Sequence, residues 1–184
     1  VLAAVAGMLG VDFDEFDWLA LSADAGAQGL TWVPYFDGER SPNLPEAAGA
    51  LHGVTTRNLK PANVARAAVE GLLCSMAYCM DRITEHGVAV SRVILVGGGA
   101  RSEAVRRIGP AVLGAPVHVP TPAEYVAFGA ARQAAWALSA DDTPPDWTFG
   151  VTASYTAYPT PPVVGQRRAE EGLTPGQVAR AGPA

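Results

Sequence analysis

Apolar and polar positions follow two rhythms along this chain, and the rhythms mark out its elements. From Val64 to Ile83, Val64, Ala67, Ala68, Gly71, Leu72, Ser75, Met76, Cys79, Met80 and Ile83 recur three and four residues apart. That spacing gathers them on one face of a long helix. Pro61 stands where its first turn would begin, a position that tolerates a fixed φ and a missing N–H, and His86-Gly87 closes it. Arg66, Glu70, Asp81, Arg82 and Glu85 are assigned to its solvated side. Residues 1–22 read as helix in two pieces, with Asp12 or Asp14 capping the second. Residues 101–114, ended by Gly114, and 122–139 complete the predicted helices.

The other rhythm is shorter. Leu30–Phe36 reads as a strand whose Pro34 fits an edge or a strand end. The following "DGERSPNLPEAAG" reads as a loop. Arg92–Val96 has the unbroken apolar, β-branched pattern of a fully buried parallel strand. "PVHVP" predicts another short strand. Strand and helix alternate, which points to an α/β fold with at least part of a parallel sheet. The ordered domain is expected over 1–140. Residues 141–184 are expected to form an irregular strap and tail, with 167–184 poorly ordered.

Composition narrows the partners. The 184 residues are 49% apolar, enough for a core, and carry a net charge of −5. That sign argues against nucleic acid. No apolar run reaches the roughly 18 residues of a membrane span. The opening "VLAAVAGMLG" lacks a basic flank, which argues against a signal peptide. The chain starts without Met and without a cap before Val1, the expectation for a piece of a longer protein. Cys74 and Cys79, five apart on one helix, would have Cα atoms about 8–9 Å apart, too far for a disulfide. They read as buried structural thiols, in keeping with a reducing, cytoplasmic compartment. No metal site is expected: no further Cys or His is placed to join them, and His52, His86 and His118 are scattered.

The chemistry-bearing stretch is "VILVGGGARS", Val93–Ser102. A strand delivering glycines to a helix start places backbone N–H groups and the helix dipole toward an anion. The glycines also allow a tight turn for helix–sheet packing. The pattern is neither GxGxxG nor a P-loop with its Lys, so spacing leaves both readings open. Elsewhere, Glu39 and Arg40 are read as an ion pair fixing their loop, with a role at a cleft as the alternative. Glu124 is read as a helix cap and Gly129 as a close helix–sheet contact. Trp136 and Trp147 are read as core or strap anchors rather than stacking platforms.

Four blocks stand in order: "PYFDGERSP" at Pro34–Pro42, "RAAVEG" at Arg66–Gly71, "GGGARS" at Gly97–Ser102, and "GAPV" with "EYVAFGAA" at Gly114–Val117 and Glu124–Ala131. Together they resemble the C-terminal half of the FGGY carbohydrate kinases, most of all the xylulokinase branch, over about residues 29–138. The resemblance implies an actin-like (ribonuclease H-like) ATPase lobe, here the C-terminal domain of a sugar kinase, incomplete at its N-terminal side. It implies phosphorylation of a ketopentose, D-xylulose to D-xylulose 5-phosphate, using ATP and Mg²⁺. It places nucleotide at Gly97, Gly98, Gly99, Ala100, Ser102 and Glu103, with Gly98 and Gly99 toward phosphate and ribose and the last three near adenosine. It puts the general-base Asp and most of the sugar pocket upstream, so no catalytic residue is assigned here. Asp12, Asp14, Asp17 and Asp24 fall after the expected place of that base. Partners implied are the sugar and the missing N-terminal lobe; self-association with a second copy is expected separately, from the sheet edge such a truncation leaves unpaired. A non-catalytic actin-like module that binds nucleotide or a partner is the alternative.

Overall fold

The helix predicted from Pro61 organises the molecule. In the computed structural model, which describes residues 1–148 and 150–156, α1 spans Leu2–Leu9, α2 Phe13–Ser22, β1 Thr31–Val33, β2 Ala50–His52 and α3 Pro61–Glu85. They are followed by β3 (Val93–Ile94), α4 (Glu103–Leu113), β4 (Val117–Pro120), α5 (Tyr125–Leu138) and β5 (Val151–Tyr155). Residues from Asn63 to Ala77 of α3 supply the middle of the core, with α1, α2, α4 and β1 packed around them. Beyond Ala77 the helix emerges, and Arg82 and Glu85 form an exposed ion pair as expected for a solvated end.

Two residues of α3 need correction. Glu70, assigned to the solvated side, is fully buried. Its carboxylate accepts from Arg66 Nε at 2.5 Å and from the Gly26 N–H at 3.0 and 3.1 Å. Arg66 is largely buried with it. A buried carboxylate is tolerated only when paired and hydrogen-bonded, and the turn after α2 supplies the missing donor from 44 residues away. The next residue, Gly71, lets α3 lie directly on β1, because a Cβ there would overlap the Trp32 carbonyl oxygen.

The strands form two small sheets. β1 and β2 pair antiparallel, with Thr31 opposite His52, and the GERSP loop connects them. In the other sheet the order is β3–β4–β5: Val93 pairs with Val117 in parallel, and β5 lies antiparallel to β4. β1 spans only Thr31–Val33, shorter than the expected Leu30–Phe36, and breaks before Pro34, which has no N–H for a ladder. Two strands were not expected. Three-residue β2 is too short to show a period, and β5 lies in the Pro- and Thr-rich region read as irregular. That reading holds for 141–148 but fails at Val151–Tyr155, where pairing with β4 decides the conformation. The segment 167–184 lies outside the described residues.

The expectation of a fully buried strand at Arg92–Val96 also fails. β3 is an edge strand of two residues, covered on one face only. Leu95 is buried, whereas Ile94 is 55% and Val96 44% exposed. α4 packs against α3 and the neighbouring β4, burying Ala104, Val105, Ile108, Val112 and Leu113. It ends on Gly114, whose φ of 69° is the left-handed cap the sequence implies.

α5 contributes nothing to the core, for none of its residues is buried. It is held by the strap: Phe128 meets Trp147 edge-on at 5.0 Å, Arg132 Nε donates to the Pro145 carbonyl at 2.7 Å, and Trp136 Nε1 to that of Asp141 at 3.0 Å. Trp136 and Trp147 are therefore strap anchors. Gly129 makes no close contact, since a Cβ there would meet nothing within 4 Å. Glu124 occupies the N-cap position of α5, but its side chain makes no capping bond. Among the described residues no helix is long and apolar enough to cross a membrane.

Candidate functional site

The glycine turn begins where β3 runs out of partners. The Leu95 N–H donates to the His118 carbonyl at 2.9 Å, and two residues later Gly97 adopts φ 83°, ψ −163°, a conformation open in practice to glycine alone. Gly98–Arg101 then form one 3-10 turn, closed by Ala100 N–H to Gly97 O and Ser102 N–H to Gly99 O, both 3.2 Å. A Cβ on Gly98 or Gly99 would meet no atom of the described residues within 4 Å. Packing among those residues therefore does not require these two glycines. They present bare backbone to open space, which favours the ligand reading over the packing one.

The neighbouring residues fix this turn from below. Ala100 is buried, and its carbonyl accepts from Arg106 Nε at 2.5 Å. Ser102 caps α4, its hydroxyl accepting from the Val105 N–H at 3.1 Å. That hydroxyl donates to Asp17 Oδ1 at 2.5 Å, and the Glu103 N–H donates to Asp17 Oδ2 at 2.6 Å. The Glu103 side chain pairs with Arg107 at 2.7 Å and Arg106 at 3.5 Å, and accepts from the Tyr155 hydroxyl at 3.4 Å. The anion that the sequence places at this helix start is thus met first by the chain's own Asp17. Asp17 escaped the sequence reading because it lies 85 residues from Ser102; its only local signal is a place next to Phe16, which is fully buried.

Two clefts flank the turn. One, of about 520 Å³, lies between it and the α1–α2 pair, lined by Leu2, Ala3, Phe13, Asp14, Phe16, Asp17, Leu72, Gly98, Gly99, Arg101 and Ser102. The other, of about 490 Å³, opens toward the start of α5 and includes Gly97, Gly98, Ala100, Arg106, Pro122, Glu124 and Tyr125. Of the predicted site residues, Gly98 faces both, Gly99 and Ser102 the first, Gly97 and Ala100 the second, and Glu103 lines neither.

The remaining candidates stand elsewhere. Glu39 does not pair with the Arg40 side chain. Its Oε1 accepts from the backbone N–H groups of Arg40 and Ser41 at 2.7 and 3.0 Å, because a carboxylate reaches the adjacent main chain more easily than a solvated guanidinium. Cys74 is buried, whereas Cys79 is only half-buried, a correction to the expectation for both thiols. His86 ends α3, and His118 Nδ1 lies 2.8 Å from Ser154 Oγ. His52 Nε2 is buried without a partner among the described residues. Among those residues no three His, Cys, Asp or Glu side chains gather to hold a metal ion.

The sequence pattern of the FGGY family of carbohydrate kinases, C-terminal domain, matches residues 10–138. The xylulose kinase of Haemophilus influenzae is 35% identical over 130 residues, covering 71% of this chain and 26% of that protein. The xylulose kinase of Streptomyces rubiginosus is 35% identical over 139 residues, covering 75% of this chain and 27% of that protein. The crystal structure of xylulose kinase from Bifidobacterium adolescentis superposes with a TM-score of 0.82 at 47% identity, over 93% of this chain and 34% of that one. The chain thus spans between a quarter and about a third of the length of these relatives.

Proposed function

The chain belongs to the FGGY family of carbohydrate kinases and has that family's actin-like ATPase fold, and from that premise we propose that it supplies the nucleotide side of an ATP-dependent sugar kinase. The observation that carries this reading is the turn at Gly97–Ser102, where Gly98 and Gly99 turn bare backbone outward with nothing among the described residues to accommodate. Adenosine lies in the cleft between this turn and α1–α2, whose apolar lining of Leu2, Ala3, Phe13 and Leu72 suits a flat base. Gly97, Gly98, Gly99, Ala100, Ser102 and Glu103 make up the shelf. Gly98 and Gly99 touch the nucleotide, Ser102 borders it, and Ala100 and Glu103 act by holding the turn.

The reaction is transfer of the ATP γ-phosphoryl group to a ketopentose hydroxyl, D-xylulose being the substrate of choice from the relatives. Phosphoryl transfer depends mostly on positioning and charge neutralisation. This part of the protein orients the nucleotide and walls one side of the cleft. Mg²⁺ would neutralise charge on the phosphates. The general base and the sugar-binding groups are assigned outside residues 1–140, the extent of the lobe proposed here. The test is ADP release by the complete protein in a coupled assay, with D-xylulose beside other pentoses and glycerol. Sugar-dependent turnover greatest with D-xylulose supports the reading; nucleotide binding with no turnover on any sugar would favour the non-catalytic module instead.

A further inference from the structure

A helix start that faces a nucleotide commonly holds its phosphate. Here the position is taken. Asp17 reaches from α2 with both carboxylate oxygens, one receiving the Ser102 hydroxyl at 2.5 Å and the other the Glu103 N–H at 2.6 Å. Ser102 uses the same hydroxyl to cap Val105. Two of the free donors in the first turn of α4, the Glu103 and Val105 N–H groups, are therefore spent inside the molecule, and charge-assisted bonds of this length are strong ones. The same cleft receives a second carboxylate, Asp14, one turn earlier on α2. Asp14 and Asp17 line the α2 side of this cleft with apolar Leu2, Ala3, Phe13 and Leu72, and Arg101 lines it from the turn. A phosphate at the α4 start would meet the Asp17 carboxylate, whereas an uncharged nucleoside suits the apolar part. Asp17 is itself well held: Asp12 caps α2 by accepting from the Glu15 N–H at 2.9 Å, and neighbouring Phe16 is fully buried.

We propose that Asp17 is a positioning residue for the nucleotide: it ties α2 to the exit of the glycine turn, so that Gly98 and Gly99 keep their angle to the cleft, and it closes the N-terminus of α4 to phosphate. The proposal rests on the nucleotide reading above. It concerns a residue that touches the turn rather than the reacting atoms, so its loss acts on binding of ATP and not on the chemical step.

The experiment uses the complete protein with the variants Asp17→Ala, Asp17→Asn and Gly99→Val, and reads KM for ATP, kcat, KM for the sugar and inhibition by inorganic phosphate. Asp17→Ala raises KM for ATP about tenfold, the scale set by loss of a charged hydrogen-bonding partner, with kcat and the sugar KM within about twofold. Inorganic phosphate is expected to compete with ATP more strongly in Asp17→Ala than in the parent, because the helix start is now open to it. Asp17→Asn keeps one acceptor and lies between. A merely structural role would lower thermal stability or kcat and leave both the ATP KM and phosphate inhibition where they were. If Asp17→Ala does not fold, Asp17→Asn decides: a folded Asn variant matching the parent in both readouts overturns the proposal. Should Gly99→Val raise the ATP KM while neither Asp17 variant does, the inference alone falls. Should Gly99→Val also leave it unchanged, the nucleotide reading falls and takes the inference with it.

Discussion

Single side chains decide more here than their position in the chain discloses. Glu70 belongs to the run of residues that resembles a family motif, and its work is internal: it joins Arg66 to the Gly26 N–H in the core. Removing one partner of a buried pair strands the other, so Glu70→Ala is expected to destabilise by about 3 kcal/mol, read as a lower urea midpoint of the complete protein. Gly71→Ala pushes a methyl into the Trp32 carbonyl; overpacking against a backbone atom costs about 2 kcal/mol, visible as a lower melting temperature with unchanged KM for ATP. Gly99→Val has the opposite profile. Its side chain enters open space, so stability holds while ATP affinity, measured by titration calorimetry, falls about tenfold or more, as for a group pushed into a fitted site. The glycines were legible in the sequence because they stand consecutively after a strand. Asp17 was not, because its partners lie beyond the reach of any local pattern.

At the scale of elements, α3 shows how far periodicity carries. Its limits at Pro61 and Glu85 were legible from proline, glycine and the three-and-four spacing. Its depth was not. The apolar stripe continues to Ile83, yet full burial ends at Ala77, Met80 only partly packs on the core, and Arg82–Glu85 are exposed. The two thiols record this gradient: Cys74 is 2% exposed and Cys79 only half-buried. Ellman's reagent on the native protein is expected to modify Cys79 first and Cys74 only with unfolding, because access limits reaction of a buried thiol. Equal rates for both would contradict the packing. β5 is the complementary case, a strand made by its neighbour. Ending the chain at residue 148 would expose the second edge of β4, and an open edge invites pairing between copies. Such a truncation is expected to lower the melting temperature and to raise light scattering.

For the whole molecule, the decisive fact is how much apolar surface stays uncovered. Ile94 and Val96 on the edge strand, Val126 and Leu138 on α5, and Met8, Phe13 and Trp18 on α1 and α2 are all exposed. Exposed apolar surface, where it is contiguous, marks faces that associate. Residues 1–184 expressed alone are expected to form dimers or larger species in size-exclusion chromatography with light scattering, and to release no ADP in a sugar-dependent manner. A clean monomer would overturn the first expectation, and robust turnover the second.

What the sequence determined by itself is what short-range physics controls: the span of α3, the Gly114 cap of α4, and the position of the glycine turn. These depend on residues within one or two turns of each other, where periodicity and capping act. Tertiary structure decided which polar groups are buried, which strands exist, and what occupies the start of α4. Glu70 meets Gly26 across 44 residues, Thr152 on β5 meets Val119 on β4 across 33, and Asp17 meets Ser102 across 85. A carboxylate reads as solvated until a distant backbone N–H arrives to pair it, and a Thr-rich segment reads as loop until a neighbouring strand offers its ladder. Both outcomes depend on desolvation in the assembled core, a property no local stretch of residues possesses.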